Sequence, residues 1–240
     1  MTENNPLSDL IKIALGEVGY LEKASNASLE DKTANVGKAN YTKYGAWYGI
    51  NPGAWCAMFI SWCADRAGAA DVIPRHSSCT LGIEAFRRLG RWKPRKSYMP
   101  KPGDIIYFGT ASGAPQHVGI VWAVTGGRVY TVEGNTSAGE DVVIANGGAV
   151  AEKNYALTNA RIIGYGHPDW PEEKEEAKDV ERYQKIADMP EWARDDMKWL
   201  VDHSVLKGNG GPLDNDGRPA DLDLSLDMIR MLIICKRMRG

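Results

Sequence analysis

Four residues carry the chemistry this sequence can perform, and the first is Cys56. It lies in NPGAWCAMFISWCADRAG, where Pro52 and Gly53 mark a turn and Cys56, Phe59, Ile60, Cys63, Ala64 and Ala67 recur at helical spacing. The spacing predicts a helix with Cys56 in its first turn. Unpaired backbone N–H groups and the positive end of the helix dipole favour a thiolate there, the form of cysteine that attacks carbonyls, and the same N–H groups can hold an oxyanion. Cys63, in mid-helix, reads as a small buried hydrophobe. Cys56 alone is expected to have a helix start to activate it, so Cys63 and Cys79 are expected to be dispensable for the chemistry. A nucleophilic thiol needs a base. His117 opens the apolar run HVGIVWAV, and the next run, RVYTVEGN, ends with Glu133 and Asn135. Either can accept the second imidazole N–H and fix the ring's tautomer and orientation, completing a set of cysteine, histidine and glutamate or asparagine.

The elements that must position these groups can be read from periodicity. Leu7, Leu10, Ile11, Ala14, Leu15 and Val18 form one stripe of a helix over residues 7–19, and further helices are expected near 35–45, 55–68 and 80–90. From Gly103 the pattern changes to strands, at 104–108, 117–124, 129–133 and 161–165, separated by Gly, Pro and Asn. Helices first and strands after predict an α+β domain with an antiparallel sheet. The hairpin between the second and third of these strands carries a parity condition. His117 shares a face with Glu133 or Asn135 only if paired residue numbers add to an even value. A two-residue Gly126-Gly127 loop sets 125 opposite 128, an odd value, and turns Glu133 away. Catalysis therefore requires either a three-residue loop, with 124 opposite 128, or a bulge. On the three-residue loop Asn135 faces His117 and Glu133 is diagonal to it.

The composition excludes other classes. The 240 residues hold 29 basic and 31 acidic side chains, with 43% hydrophobic residues, so no cationic excess exists to condense on nucleic acid. No apolar run approaches the roughly 18 residues that span a bilayer; Met231 to Cys235 is broken by Lys236 and Arg237. Four cysteines are too few for a disulfide scaffold. The first twenty residues lack a basic stretch before an apolar core, so no export signal is expected, and a cytoplasmic protein with free thiols is. The text changes again at HPDWPEEKEEAKD, with two prolines, dense charge and almost no aliphatic residue, which predicts an exposed connector. The expected organisation is a catalytic domain over 1–167, a linker over 168–179 and a small helical domain over 180–240. In the last, Pro190 starts one helix and Ser225 caps another.

The motifs GAWCAMFISWC, QHVGIV and VEGN, in this order and at these separations, resemble the cysteine- and histidine-dependent amidohydrolase/peptidase (CHAP) domains of peptidoglycan hydrolases. The resemblance extends over about the first 167 residues and includes GEVGYLEK and NYTKYGAWYG. It implies a papain-like α+β fold. It also implies hydrolysis of amide bonds in bacterial wall peptide, as an N-acetylmuramoyl-L-alanine amidase or endopeptidase, with Cys56 as nucleophile, His117 as base, and Glu133 and Asn135 in support. Some members carry a calcium loop of spaced aspartates just before the cysteine; YGAWYGINPGAWC offers no acidic ligand, so no metal or other cofactor is expected. The tail is similar to a single surface-layer-homology unit. That likeness implies attachment to a cell-wall polymer, while its apolar helix faces equally suit self-association. Together these imply a phage endolysin type of protein, held in the cytoplasm until released to the wall. The alternative is a noncatalytic module, binding cell wall or built on zinc held by Cys56, Cys63, His76 and Cys79. Two helical turns set Cys56 and Cys63 about 10.5 Å apart, beyond the easy span of one ion's ligands.

Overall fold

A computed structural model of the protein describes residues 5–171 and 181–239, and the chain divides into two compact units at residues 172 and 173. The first unit begins with α1 (Pro6–Gly16), α2 (Lys43–Tyr48), α3 (Cys56–Arg66) and α4 (Cys79–Arg88). Strands β1 (Trp92–Pro94), β2 (Ile105–Gly109), β3 (Pro115–Thr125), β4 (Arg128–Thr136), β5 (Ala149–Ala156) and β6 (Ile162–Gly166) follow. They form one antiparallel sheet in the order β1-β6-β2-β3-β4-β5. This is the α+β architecture expected from helices preceding strands.

Alternation along the strands gives the sheet two apolar faces. Ile105, Tyr107, Val118, Ile120 and Val132 meet Leu10 and Ala14 of α1, Phe59, Ile60 and Cys63 of α3, and Ile83 and Phe86 of α4. Ile106, Phe108, Val121, Val129, Tyr155 and Ile162 form the core of the other face. Burying side chains of this size contributes about 1.5–3 kcal/mol each, which holds the helices against the sheet.

Local chemistry sets the helix boundaries. Asn5 caps α1, its side chain accepting the Ser8 N–H at 2.9 Å, with Pro6 at the first helical position. The helix expected at 35–45 forms only from Lys43. Asn35 and Asn40 adopt left-handed backbone, with φ of 51° and 56°, which no helix continues through, and Thr42 then caps α2 by accepting the Gly45 N–H at 3.0 Å. Two strands, β1 and β5, had no clear signal in the sequence. The text of β5, AVAEKNYA, sets charges among its apolar residues, yet Val150, Lys153 and Tyr155 are all buried.

The second unit holds β7 (Arg182–Tyr183), α5 (Glu191–Asp202), β8 (Leu224–Ser225) and α6 (Leu226–Arg239). Ala193, Met197 and Leu200 of α5 pack with Ile229 and Ile233 of α6, and Ser225 accepts the Met228 N–H at 3.2 Å, as expected of a cap. Asp196 pairs with Lys236 at 2.6 Å and Arg237 at 2.9 Å, fixing the end of α6 against α5. Most of the expected linker, from residue 172, lies outside the described residues. In its first part Trp170 packs against the core of the first unit, and the exposed Asp169 pairs with Arg91.

Candidate active site

Helix α3 starts without a side-chain cap. Trp55 stands where Ser, Thr, Asp or Asn usually supplies a capping oxygen, and it is held by other contacts: its indole N–H donates to Glu22 at 3.2 Å and its ring stacks on Tyr44 with centroids 5.3 Å apart. The N–H groups of the first turn are thus left for other acceptors. The Ala57 N–H serves the Cys56 sulfur itself.

His117 is reached from β3 through the hairpin. The loop is the two-residue Gly126-Gly127 turn, with both glycines at positive φ, and it sets Thr125 opposite Arg128 and Val124 opposite Val129. That is the odd parity that turns Glu133 away. A bulge between Val121 and Ala123 then takes up Trp122, after which Val121 pairs with Thr131 and Ile120 with Val132, an even parity. The bulge, not a longer loop, brings the two polar residues onto the face of His117.

Two glycines allow the close approach. On the even register Glu133 lies across from Gly119, where a Cβ would meet Glu133 Cγ at 2.6 Å; with no side chain in the way, the carboxylate passes over β3 to the neighbouring His117. At Gly134 a Cβ would lie 2.7 Å from Phe59 Cβ and 2.8 Å from the Trp55 ring, so the bare backbone lets β4 lie against the start of α3.

The resulting chain of contacts is closed on one side and open on the other. His117 Nε2 bonds Glu133 Oε2 at 2.9 Å, with both side chains fully buried. The carboxylate accepts two more hydrogen bonds, from Thr131 Oγ1 at 2.6 Å and Tyr155 Oη at 3.1 Å. Three donors replace the water that burial removes from a carboxylate. Nδ1 is the nitrogen left to the thiol, and among the described residues it has no aligned hydrogen bond. Burial, the largest single influence, would lower the His117 pKa; the neighbouring Cys56 thiol and the Glu133 carboxylate outweigh it and push it up to about 9. The Cys56 thiol is held well below the usual cysteine range, first by a hydrogen bond from Cys79 and then, against the effect of burial, by His117 and the Ala57 N–H. Both directions favour a thiolate beside an imidazolium. This is the reactive form of a nucleophilic cysteine.

Three of the four expected site residues therefore come together: Cys56, His117 and Glu133. Asn135 does not bond His117. Its backbone is left-handed, with φ of 56°, and it closes the turn toward β5, its carbonyl accepting the Gly147 N–H at 3.0 Å and its side-chain oxygen that of Gly148 at 3.4 Å. Residues 47–135 match the CHAP domain family model. The CHAP match contains all four expected residues and Cys79, and ends where β4 meets its last turn. Among solved structures, the chain is similar to Ly7917 at 16% identity and a TM-score of 0.39, and to Ly7917 with the hydrolyzing product of MDP at 15% and 0.40. Each comparison covers 68% of this chain and 62% of the other, so the chain spans less than two thirds of that protein's length. No curated protein matches the chain.

Two other titratable side chains of this stretch, His76 and Cys63, are buried in the core. His76 Nδ1 donates to the Pro74 carbonyl at 2.6 Å, which leaves Nε2 to accept from Tyr107 Oη at 3.2 Å, and burial lowers its pKa. Burial and the Glu17 charge push the Cys63 thiol well up. Among the described residues no three of His, Cys, Asp or Glu gather to hold a metal ion, so the zinc alternative has no ligand set. Tyr155, which β5 supplies, was not expected at the site, and Cys56 was expected to be the one cysteine at a helix start. Like Cys56, Cys79 opens a helix, α4, whose cap is Ser78. The signal for this helix start was present in SSCTLGIEAF, a serine before an apolar helical stripe.

Proposed function

We propose that the first unit is a peptidoglycan hydrolase that cleaves an amide bond of bacterial wall peptide through a covalent Cys56 intermediate. The observation that carries this reading is the Cys56, His117 and Glu133 arrangement, in which the carboxylate fixes one ring nitrogen and the other is left to a depressed thiol. The match to the CHAP domain and the motifs shared with wall hydrolases support the substrate class. In the reaction the Cys56 thiolate adds to the amide carbonyl carbon, and the open N–H groups of α3 face the developing oxyanion. His117 gives its Nδ1 proton to the leaving amine as the C–N bond breaks, leaving an acyl thioester on Cys56. A water, deprotonated by the same nitrogen, then adds to the acyl carbon, and the C–S bond breaks to release the acid and restore the Cys56 thiolate beside protonated His117. Glu133 keeps the ring oriented and stabilises its charged form.

The bond is that of an N-acetylmuramoyl-L-alanine amidase or an endopeptidase. Mass spectrometry of fragments released from purified peptidoglycan tests the proposal. New free amino groups and acids at one amide position are expected, and cleavage confined to the sugar backbone would refute it. The second unit is proposed to attach the enzyme to a wall polymer. Accumulation in the cytoplasm before release to the wall, as in a phage endolysin, completes this proposal.

A further inference from the structure

One cavity of the first unit takes no part in the reaction just described. It encloses about 350 Å³ and is lined by residues 95–100, which follow β1, by Leu157 after β5 and by Tyr165 of β6. That volume lies at the lower end of the range of small-molecule sites. Its walls are held in place. The Arg95 guanidinium donates to the Thr158 carbonyl at 3.0 Å, joining the segment after β1 to the segment after β5. Tyr98 Oη lies 3.0 Å from His167 Nδ1, which lies 2.7 Å from Asp104 Oδ1, and the Tyr98 and Tyr165 rings meet with centroids 5.9 Å apart. The lining is basic and holds no acidic residue. Arg95 keeps the N–H groups not given to Thr158, Lys96 is exposed, and among the described residues neither pairs with a carboxylate. Tyr165 is only 1% exposed, yet among the described residues its hydroxyl has no hydrogen bond. A ligand oxygen that accepts from it relieves the cost of that missing partner.

We propose that this cavity is a second binding site, for a carboxylate carried on a body the size of one sugar ring or two amino-acid residues. The remaining N–H groups of Arg95 match the oxygens of a carboxylate, Lys96 adds charge, and Tyr165 Oη donates a further bond. The Tyr98 ring and Leu157 supply apolar surface for the body that carries the acid. Burial, then the Asp104 charge, raises the Tyr165 pKa against the opposing Arg95, so the hydroxyl stays protonated and remains a donor. Asp104 itself is fully buried and outside the lining, and it accepts the Lys101 N–H at 2.7 Å. The choice of ligand rests on the proposed function. Hydrolysis of a wall amide leaves a new carboxylate on the released acid, borne by the sugar after amidase cleavage and by a peptide end after endopeptidase cleavage. The cavity shares no lining residue with the reaction centre, so an acid bound there leaves Cys56 and His117 free.

Calorimetric titration of the full chain tests the site. N-acetylmuramic acid serves as the sugar-borne acid and N-acetyl-D-alanyl-D-alanine as the peptide-borne one, with N-acetylglucosamine as the neutral sugar and inorganic phosphate as a plain anion. At least one acid is expected to bind with a Kd of about 1 mM or tighter, and the tighter of the two names the source. Tyr165→Phe removes only the unpartnered hydroxyl and should weaken that binding about tenfold, the scale of one hydrogen bond to an ion. Lys96→Gln, at an exposed position, should weaken it about threefold. Neither acid binding up to about 10 mM, or an affinity unchanged in either variant, would overturn the inference. So would equal binding of the neutral sugar, or of phosphate, which would mark an adventitious anion only. Wall cleavage measured on the same samples keeps the two readings apart. Cleavage without acid binding would count against this site alone, and acid binding that passes these tests in a chain that cleaves no wall would count against the proposed function alone.

Discussion

Glu133 and His117 are both fully buried, and the carboxylate helps make the ring's charged form tenable. The His117 pKa of about 9 lies above that of free imidazole because Cys56 and Glu133 overcome the burial that would depress it. Since the protonated ring must serve the leaving amine, wall-peptide cleavage is expected to fall as pH rises through about 9. Glu133→Gln removes a negative charge and should move that alkaline limb of kcat/KM down by about one unit or more, with kcat reduced about 10- to 100-fold. His117→Ala should cost at least about 1000-fold, because the proton carrier itself is gone. A pH profile of the Gln variant with its alkaline limb still near the parent's would show that Glu133 does not set the ring's charge. Asn135→Ala, which leaves the His117 ring without a lost bond, should retain more activity than Glu133→Gln.

At the scale of elements, the site depends on a bulge and two glycines more than on strand propensity. Strand parity requires a bulge or a three-residue loop before Glu133 can reach His117, and the structure has the bulge, at Trp122. The sequence thus contained the condition but not its solution, because Gly126-Gly127 is a good two-residue turn and nothing in HVGIVWAV marks an extra residue. The choice between Glu133 and Asn135 was also beyond it. Only the left-handed backbone of Asn135 and the bare Gly119 decide that the diagonal residue, rather than the one across the strands, holds the ring. Helices α1, α3 and α4 were legible because their apolar stripes are regular. Strand β5 was not, since its buried Lys153 and Tyr155 make sense only beside Glu133. Gly119→Val tests this dependence. The added carbon would meet Glu133 Cγ at 2.6 Å, so the variant should lose about 1–3 kcal/mol of stability by overpacking and most of its activity by displacing the carboxylate. Thermal unfolding and cleavage assays on one sample check both; an active variant of unchanged stability would contradict the account.

At the scale of the molecule, the chain has two units with separate cores, and every proposed catalytic group belongs to the first. HPDWPEEKEEAKD spans the division at residues 172 and 173; within it Trp170 packs against the first core and the exposed Asp169 pairs with Arg91. A chain truncated after Glu172 should fold and cleave soluble wall peptide at close to the parent rate. One truncated after His167 should be less stable by about 2–4 kcal/mol, the scale of losing a large partly buried ring. Equal denaturant midpoints for the two would show that Trp170 contributes nothing to the fold.

The central claim is that Cys56 becomes acylated by wall peptide. Acid quenching during turnover, followed by mass spectrometry of the peptide containing Cys56, measures this directly. The account predicts a peptide-sized acyl group on Cys56, absent in Cys56→Ala, which should also release no fragments from purified peptidoglycan. Wall cleavage by Cys56→Ala at the parent rate, or an acyl group on any other residue, would contradict it.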